Sequence, residues 1–138
     1  MYTNDPFSQW LGIERVSDEY GANTLRMTVK HDMLNGFDIL HGGIAFALAD
    51  SALAFAANSH GQQCLSVENS IHYHRSCKEG DVLIARATEE NRSNRIATYR
   101  VVVSLESGEK VATFQGTVYR SKRLWSEHGV KQNEKNEK

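Results

Sequence analysis

Leu40-His41-Gly42-Gly43-Ile44-Ala45-Phe46-Ala47-Leu48-Ala49-Asp50-Ser51-Ala52-Leu53-Ala54-Phe55-Ala56-Ala57-Asn58 is the stretch that decides the fold. It is rich in Ala and Leu, lacks proline and stops near Asn58 and Gly61, which predicts a helix with a glycine-type end. From Ile44 to Ala57 only Asp50 and Ser51 are polar, and a helix that is apolar nearly all round belongs inside a protein. A membrane span is the rival reading. The run is too short to cross a bilayer, and a carboxylate near its centre costs about 2.5 to 3.5 kcal/mol even on the mild insertion scale.

Strand patterns lie on both sides of this helix. Asn23 to Lys30 alternates, with Leu25, Met27 and Val29 facing one way and Thr24, Arg26, Thr28 and Lys30 the other, and is expected to open the sheet. Leu65 to His74, Val82 to Glu89, Ile96 to Leu105 and Val111 to Tyr119 are β-branched or alternating. The punctuation between them is short: Lys78-Glu79-Gly80-Asp81, Asn91-Arg92-Ser93-Asn94 and Ser107-Gly108. Connections of that length are expected to join antiparallel neighbours. The expected class is α+β, a long buried helix wrapped by five or so curved antiparallel strands.

Composition bounds the function. A chain of 138 residues with 40% hydrophobic and 24% charged residues fits one domain, and a domain this small gains by pairing with a second copy. The folded domain is expected over 1–122, with 123–138 a disordered, charged tail. A net charge of -1 removes the broad positive field that sequence-independent nucleic-acid binding needs. Met1 to Trp10 has no basic run leading into an apolar stretch, so a cytoplasmic location is expected, with Cys64 and Cys77 as reduced thiols. His72 and His74 alternate on one strand but lack a third ligand at a defined spacing, so no metal is expected. Nor is there a G-x-S-x-G elbow, a P-loop or a G-x-G-x-x-G turn, and no cofactor is expected.

Asp50 is the residue that calls for chemistry. A carboxylate in the middle of an apolar helix destabilises the fold unless it is hydrogen-bonded or partly wet. Residue types alone leave two roles open, a catalytic group or a buried structural ion pair with Arg86 or Arg100. Just before the helix, His41-Gly42-Gly43 places backbone N–H groups at the positive end of the dipole, as an oxyanion hole requires, although two glycines also serve a simple bend. Asn35 can be a turn residue of Asn35-Gly36 or a carboxamide donor to a substrate oxygen. Gly42 and Asp50, eight residues apart on one helix, are separated by about 12 Å along its axis, too far for one carbonyl to touch both. A glycine N–H from a neighbouring copy, packed antiparallel across a two-fold axis, would close that gap.

The runs Met33-Leu34-Asn35-Gly36, Leu40-His41-Gly42-Gly43, Phe46-Ala47-Leu48-Ala49-Asp50 and Asn58-Ser59-His60-Gly61 closely resemble the hotdog thioesterases of the phenylacetic acid degradation type. Looser agreement continues through Asn4-Asp5, Leu11-Gly12-Ile13, Gly80-Asp81 and Phe114 to Arg120. The resemblance implies a hotdog fold of five or six strands round the helix, a homodimer with shared active sites that often pairs into a homotetramer, and an acyl-coenzyme A substrate, with an aromatic acyl group the family hint. It implies Asp50 as nucleophile or general base, Gly42 as oxyanion donor, Asn35 as catalytic helper and Ser66 as a water-positioning hydroxyl. His41 either orients the loop or the thioester or caps and packs at the helix start. Gly43 is a candidate backbone contact to the substrate. Arg75, Arg92 and Arg95 are either ligands of the coenzyme A phosphates, because guanidinium forks suit phosphate oxygens, or solvated turn residues. Two features depart from the family. His74-Arg75-Ser76-Cys77 stands where an Arg-Pro pair usually closes the strand after the helix, and the Lys- and Glu-rich tail has no counterpart. A hotdog hydratase or dehydratase and a non-enzymatic acyl-coenzyme A binding module are the competing classes.

Overall fold

A computed structural model describes residues 5–125. The chain runs α1 (Pro6–Leu11), β1 (Glu14–Glu19), β2 (Ala22–Thr28), a 3₁₀ turn (His31–Met33), α2 (Gly42–Asn58), β3 (Gln62–Tyr73), β4 (Val82–Arg92), β5 (Ile96–Leu105) and β6 (Lys110–Leu124). All six strands form one antiparallel sheet in the order β1-β2-β4-β5-β6-β3.

The helix lies where its composition puts it. Leu48, Ala49, Ala52, Leu53 and Ala56 are fully buried against inward residues of the sheet, among them Leu25, Met27, Leu83, Ala85, Val101 and Phe114. The apolar Ala/Leu surface thus becomes the core of the domain, with the helix touching β2, β3, β4, β5 and β6. Its C-terminus is closed by Asn58, whose Nδ2 donates to the Ala54 carbonyl at 2.8 Å while its Oδ1 accepts from Cys64 N at 3.0 Å. No helix among the described residues is long and apolar enough to cross a membrane.

Three expectations need correction. Asn23 to Lys30 does not open the sheet: its ordered strand is β2, and β1 precedes it as the outer edge. β1 is exposed along its whole length, so Glu14 to Glu19 carries no alternation for sequence to reveal. Second, Lys78-Glu79-Gly80-Asp81 does not join neighbours. β3 pairs with β6 and β4 lies between β2 and β5, so the segment after β3 crosses the end of the sheet. That crossing is held by backbone bonds of other elements, His74 N to Val111 O at 2.8 Å and Leu40 N to Cys77 O at 2.7 Å. Third, the ordered chain extends past residue 122, because β6 runs to Leu124 and the Trp125 indole donates to Asn58 Oδ1 at 2.7 Å. The rest of the expected tail, 126–138, lies outside the described residues, as does Asn4.

α1 was not legible as a periodic pattern, yet it carries the two end signals of a short helix. Pro6 occupies its first turn and Gly12 its left-handed end, at φ +71°.

Candidate active site

Asp50 sits midway along α2, half-buried, and its carboxylate meets only β3. Asn69 Nδ2 donates to Oδ1 at 3.3 Å, and Ser66 Oγ reaches the same oxygen at 3.5 Å. Oδ2 has no partner among the described residues. Burial pushes the Asp50 carboxyl above the ordinary aspartate range, and the donors Ser66 and Asn69 pull back against it. The ion pair that residue types left open is absent. Arg86 and Arg100 flank the inward residues Ala85 and Ala87, and Tyr99 and Val101, so the pleat turns both guanidinium groups to the opposite face of the sheet.

Ser66 and Asn69 are three residues apart, and on a regular strand such residues point to opposite faces. Here the register shifts between Ser66, opposite Val118, and Glu68, opposite Thr117, leaving Val67 as a bulge. Because of it Ser66, Asn69 and Ile71 pair with Val118, Gly116 and Phe114, all on the core face. Bulges re-aim side chains in this way beside functional sites.

Gly42, Gly43 and His41 form the start of α2. His41 is the N-cap: its Nδ1 accepts from Gly43 N at 2.9 Å, which leaves the ring's other nitrogen, Nε2, to carry the proton of the neutral form. Gly43 N is therefore spent on the cap, and the Gly42 N–H alone lacks an acceptor among the described residues. Gly42 is also pinned from the side, since the Tyr73 hydroxyl donates to its carbonyl at 2.8 Å. A Cβ at Gly42 would come within 3.1 Å of the Tyr73 ring, so the glycine permits this close approach.

Asn35 stands at the neck of the loop closed by the Leu34–Leu40 bridge, with its N–H donating to Ile39 O at 2.8 Å. Its Oδ1 accepts from Phe37 N at 2.9 Å, an Asx turn, as the turn reading of Asn35-Gly36 expects. The turn uses the carbonyl end of the side chain, and Nδ2 has no partner among the described residues. Asn35, Gly42 and Tyr73 line a pocket of about 410 Å³ with Ile39, Leu40, Ala45, Cys77 and Val111. Asp50 is not part of it.

The three candidate phosphate ligands are separated. Arg75 lies on the rim of that pocket and is paired with Glu109. Arg92 and Arg95 lie beyond it, at the turn between β4 and β5. Arg92 rests against the His60 imidazole and 3.9 Å from Glu89, whose carboxylate also receives the Tyr99 hydroxyl at 2.9 Å. Burial alone would raise Glu89, but the bonds from Tyr99 and His60 and the charges of His60 and Arg92 hold it below the usual carboxylate range. Arg92 is thus a structural partner at the C-terminal end of α2. Arg95 Nη1 makes only a local 3.5 Å contact with the Asn94 carbonyl. His74 Nε2 is 2.9 Å from Thr113 Oγ1, and no group of three potential ligands occurs among the described residues. Sequence reasoning missed Asn69, Tyr73 and Gly116. Its one available signal was Asn69 itself, the polar member of the otherwise apolar alternation Leu65, Val67, Ile71 and Tyr73.

Residues 37–112 match the sequence profile of the thioesterase superfamily. The chain belongs to that superfamily. It is 35% identical over 120 residues to the acyl-coenzyme A thioesterase PaaI of Escherichia coli, covering 87% of this chain and 86% of that one. The structure of E. coli PaaI, from the phenylacetic acid degradation operon, is similar at a TM-score of 0.89, with 33% identity over 91% of each chain. A Streptococcus mutans protein solved with bound acetyl CoA shares 25% identity at a TM-score of 0.79, over 81% of this chain and 90% of that one. The sheet and single long helix are therefore the hotdog fold, and this thioesterase is a thioester hydrolase.

The raised Asp50 carboxyl has a consequence with a definite sign. Its folded pKa lies above the unfolded value, so its contribution to stability is present below the unfolded pKa of about 3.8 and declines as pH rises through the folded pKa. Thermal melts should show the parent losing stability relative to Asp50→Asn across that interval. A parent that gained stability relative to the variant would reveal a cationic partner at Asp50 instead.

Proposed function

We propose that this thioesterase hydrolyses small acyl-coenzyme A esters at a site shared by two copies of the chain, with Asp50 of one and the Gly42 N–H of the other acting on the same carbonyl. The observation that carries the reading is the separation of two unsatisfied groups on one rigid helix. Among the described residues Asp50 Oδ2 and the Gly42 N–H each lack a partner, and about 12 Å of helix axis lies between them. A two-fold axis that sets two such helices antiparallel brings each group to its complement.

The edge of the sheet supports pairing at that place. Among the described residues β3 bonds only to β6, leaving its other side unpaired along 12 residues, and on it Leu65 and Val67 are 71% and 60% exposed. A long, apolar, unpaired edge is a liability that a second strand removes. Because Ser66 and Asn69 lie on the same strand, pairing there puts Asp50 beside the interface. Two dimers would then give the tetramer.

In this site the thioester oxygen takes the Gly42 N–H, and Asn35 Nδ2 is the second donor beside it. Asp50 Oδ2 either attacks the carbonyl carbon, giving a mixed anhydride that water then opens, or removes a proton from water as it attacks. Free acid and coenzyme A leave in both cases. Ser66 braces the carboxylate, His41 caps the helix so that the Gly42 N–H is held outward, and Arg75 is the one arginine placed to meet phosphate at the pocket rim. Ile39, Leu40, Ala45, Tyr73 and Val111 favour an apolar acyl group, an aromatic one such as hydroxyphenylacetyl included, and the resemblance of the E. coli protein of the phenylacetic acid degradation operon points the same way. A cytoplasmic setting accords with the two buried free cysteines.

The test is release of free thiol from a panel of acyl-coenzyme A esters, followed together with enoyl absorbance. Thiol release that is fastest with aromatic acyl groups is expected. Loss of enoyl absorbance without thiol would indicate a hydratase, and tight binding without turnover a sensing module.

A further inference from the structure

We propose that Asn69 is the positioning residue of the Asp50 carboxylate, holding Oδ1 in a niche built by the Val67 bulge and Gly116 so that Oδ2 alone faces the substrate. The inference rests on the catalytic reading of Asp50 given above.

Three independent features of the chain converge on this contact. The bulge at Val67 is what turns Asn69 and Ser66 to the same face, and without it one of the two would point to solvent. Gly116, opposite Asn69 on β6, is the second. A Cβ there would overlap both Asn69 Oδ1 and Leu53 Cδ1, so only glycine leaves room for the carboxamide between the sheet and α2. Third, Asn69 Oδ1 is buried with no donor, a state that native proteins avoid unless another requirement imposes it. The requirement here is the other end of the amide. Turning it over would set its carbonyl against the carboxylate of Asp50, so Nδ2 must face Oδ1 and the carbonyl must face the closed side of the niche.

The division of labour follows from where the donors point. Asn69 and Ser66 both address Oδ1, which leaves Oδ2 free to attack or to accept a proton. Both donors also favour the ionised form that either role needs. The other ionisable side chains facing α2 are Glu89 on β4, Tyr99 on β5, Arg120 on β6, and Cys64 and Tyr73 on β3, while β2 presents only Asn23, Leu25 and Met27. None of them figures among the influences on Asp50, which are burial, Ser66 and Asn69. The contact therefore acts locally, through one amide.

Asn69→Leu removes the donor and the orphaned carbonyl together while keeping the branch at Cγ, at a larger volume, and Asn69→Ser removes the amide with no added bulk. Both should fold, the Ser variant keeping the niche uncrowded where the bulkier Leu strains it. In both, the acid limb of kcat should move up by about one pH unit, because the ionised carboxylate has lost a donor, and plateau kcat should fall about tenfold with KM little changed. An unshifted limb in a folded variant overturns the proposal, and so does loss of the fold in both, which would make Asn69 a packing residue. Asp50→Asn, run alongside, separates the two levels. If it is inactive and the limb of Asn69→Leu is unshifted, this proposal alone fails; if it is active, the catalytic reading of Asp50 fails beneath it.

Discussion

Asp50→Asn should lower kcat about a hundredfold or more while leaving the protein folded and, at neutral pH, no less stable than the parent. The asymmetry between activity and stability is the informative part. An amide at this position keeps the shape and one carbonyl oxygen for the Ser66 and Asn69 donors, but it neither attacks a carbonyl nor takes a proton from water. It also removes a charge that burial disfavours, so the half-buried middle of α2 gains rather than loses. Thiol-release kinetics and thermal melts on the same preparations check both halves. Near-parental turnover in the variant would remove Asp50 from the mechanism.

The second large effect is recovery of activity from two inactive chains. Gly42→Pro deletes the one N–H at the helix start that has no internal acceptor, and it does so at the first helical position, where proline is tolerated. Its ring crowds Tyr73, so circular dichroism must first show a folded chain. In a heterodimer of Gly42→Pro with Asp50→Asn, one of the two sites combines an intact Gly42 with an intact Asp50. Full random exchange makes half the dimers heterodimers, so about a quarter of the parental activity should return. Well-folded, demonstrably exchanged chains that stay inactive would place both groups on one subunit's site and refute the sharing.

Both experiments address a division that runs through the molecule. The pocket and the unpartnered Gly42 N–H gather where α2 begins, around Asn35, Gly42 and Tyr73, whereas the Asp50 carboxylate lies halfway along the same helix against β3. In the proposed dimer each of these would be half of a site, and β3, at the edge of the sheet, is where the second copy would pair. The His60, Glu89, Tyr99 and Arg92 cluster lies at the far end of α2 and anchors the helix there. That anchoring explains why Arg92, a plausible phosphate ligand by residue type, is already engaged.

What the sequence determines by itself is whatever local periodicity and spacing encode. The run from Ile44 to Ala57, apolar but for Asp50 and Ser51, specifies a largely buried helix because nearly all of its surface is apolar. The alternation in Ile96 to Leu105 specifies a half-buried strand, and β5 occupies those residues. The isolated carboxylate at Asp50 marks a candidate for chemistry, because burying it is costly, while the glycines before the helix fit either an oxyanion donor or a bend. Tertiary structure decides whatever depends on a break in periodicity or on a distant partner. The Val67 bulge turns Ser66 and Asn69 to one face, although strict alternation assigns them to opposite ones, and so it selects the residues that touch Asp50. Gly116 is 47 residues from Asn69 in the chain, and only the β3–β6 register shows why it must lack a side chain. Which N–H at the helix start stays free is likewise settled by the His41 rotamer, which takes Gly43 and leaves Gly42. The sheet order is beyond local pattern for the same reason: the choice of β6 over β4 as the partner of β3 is made by packing around α2, whose surface every inner strand must share.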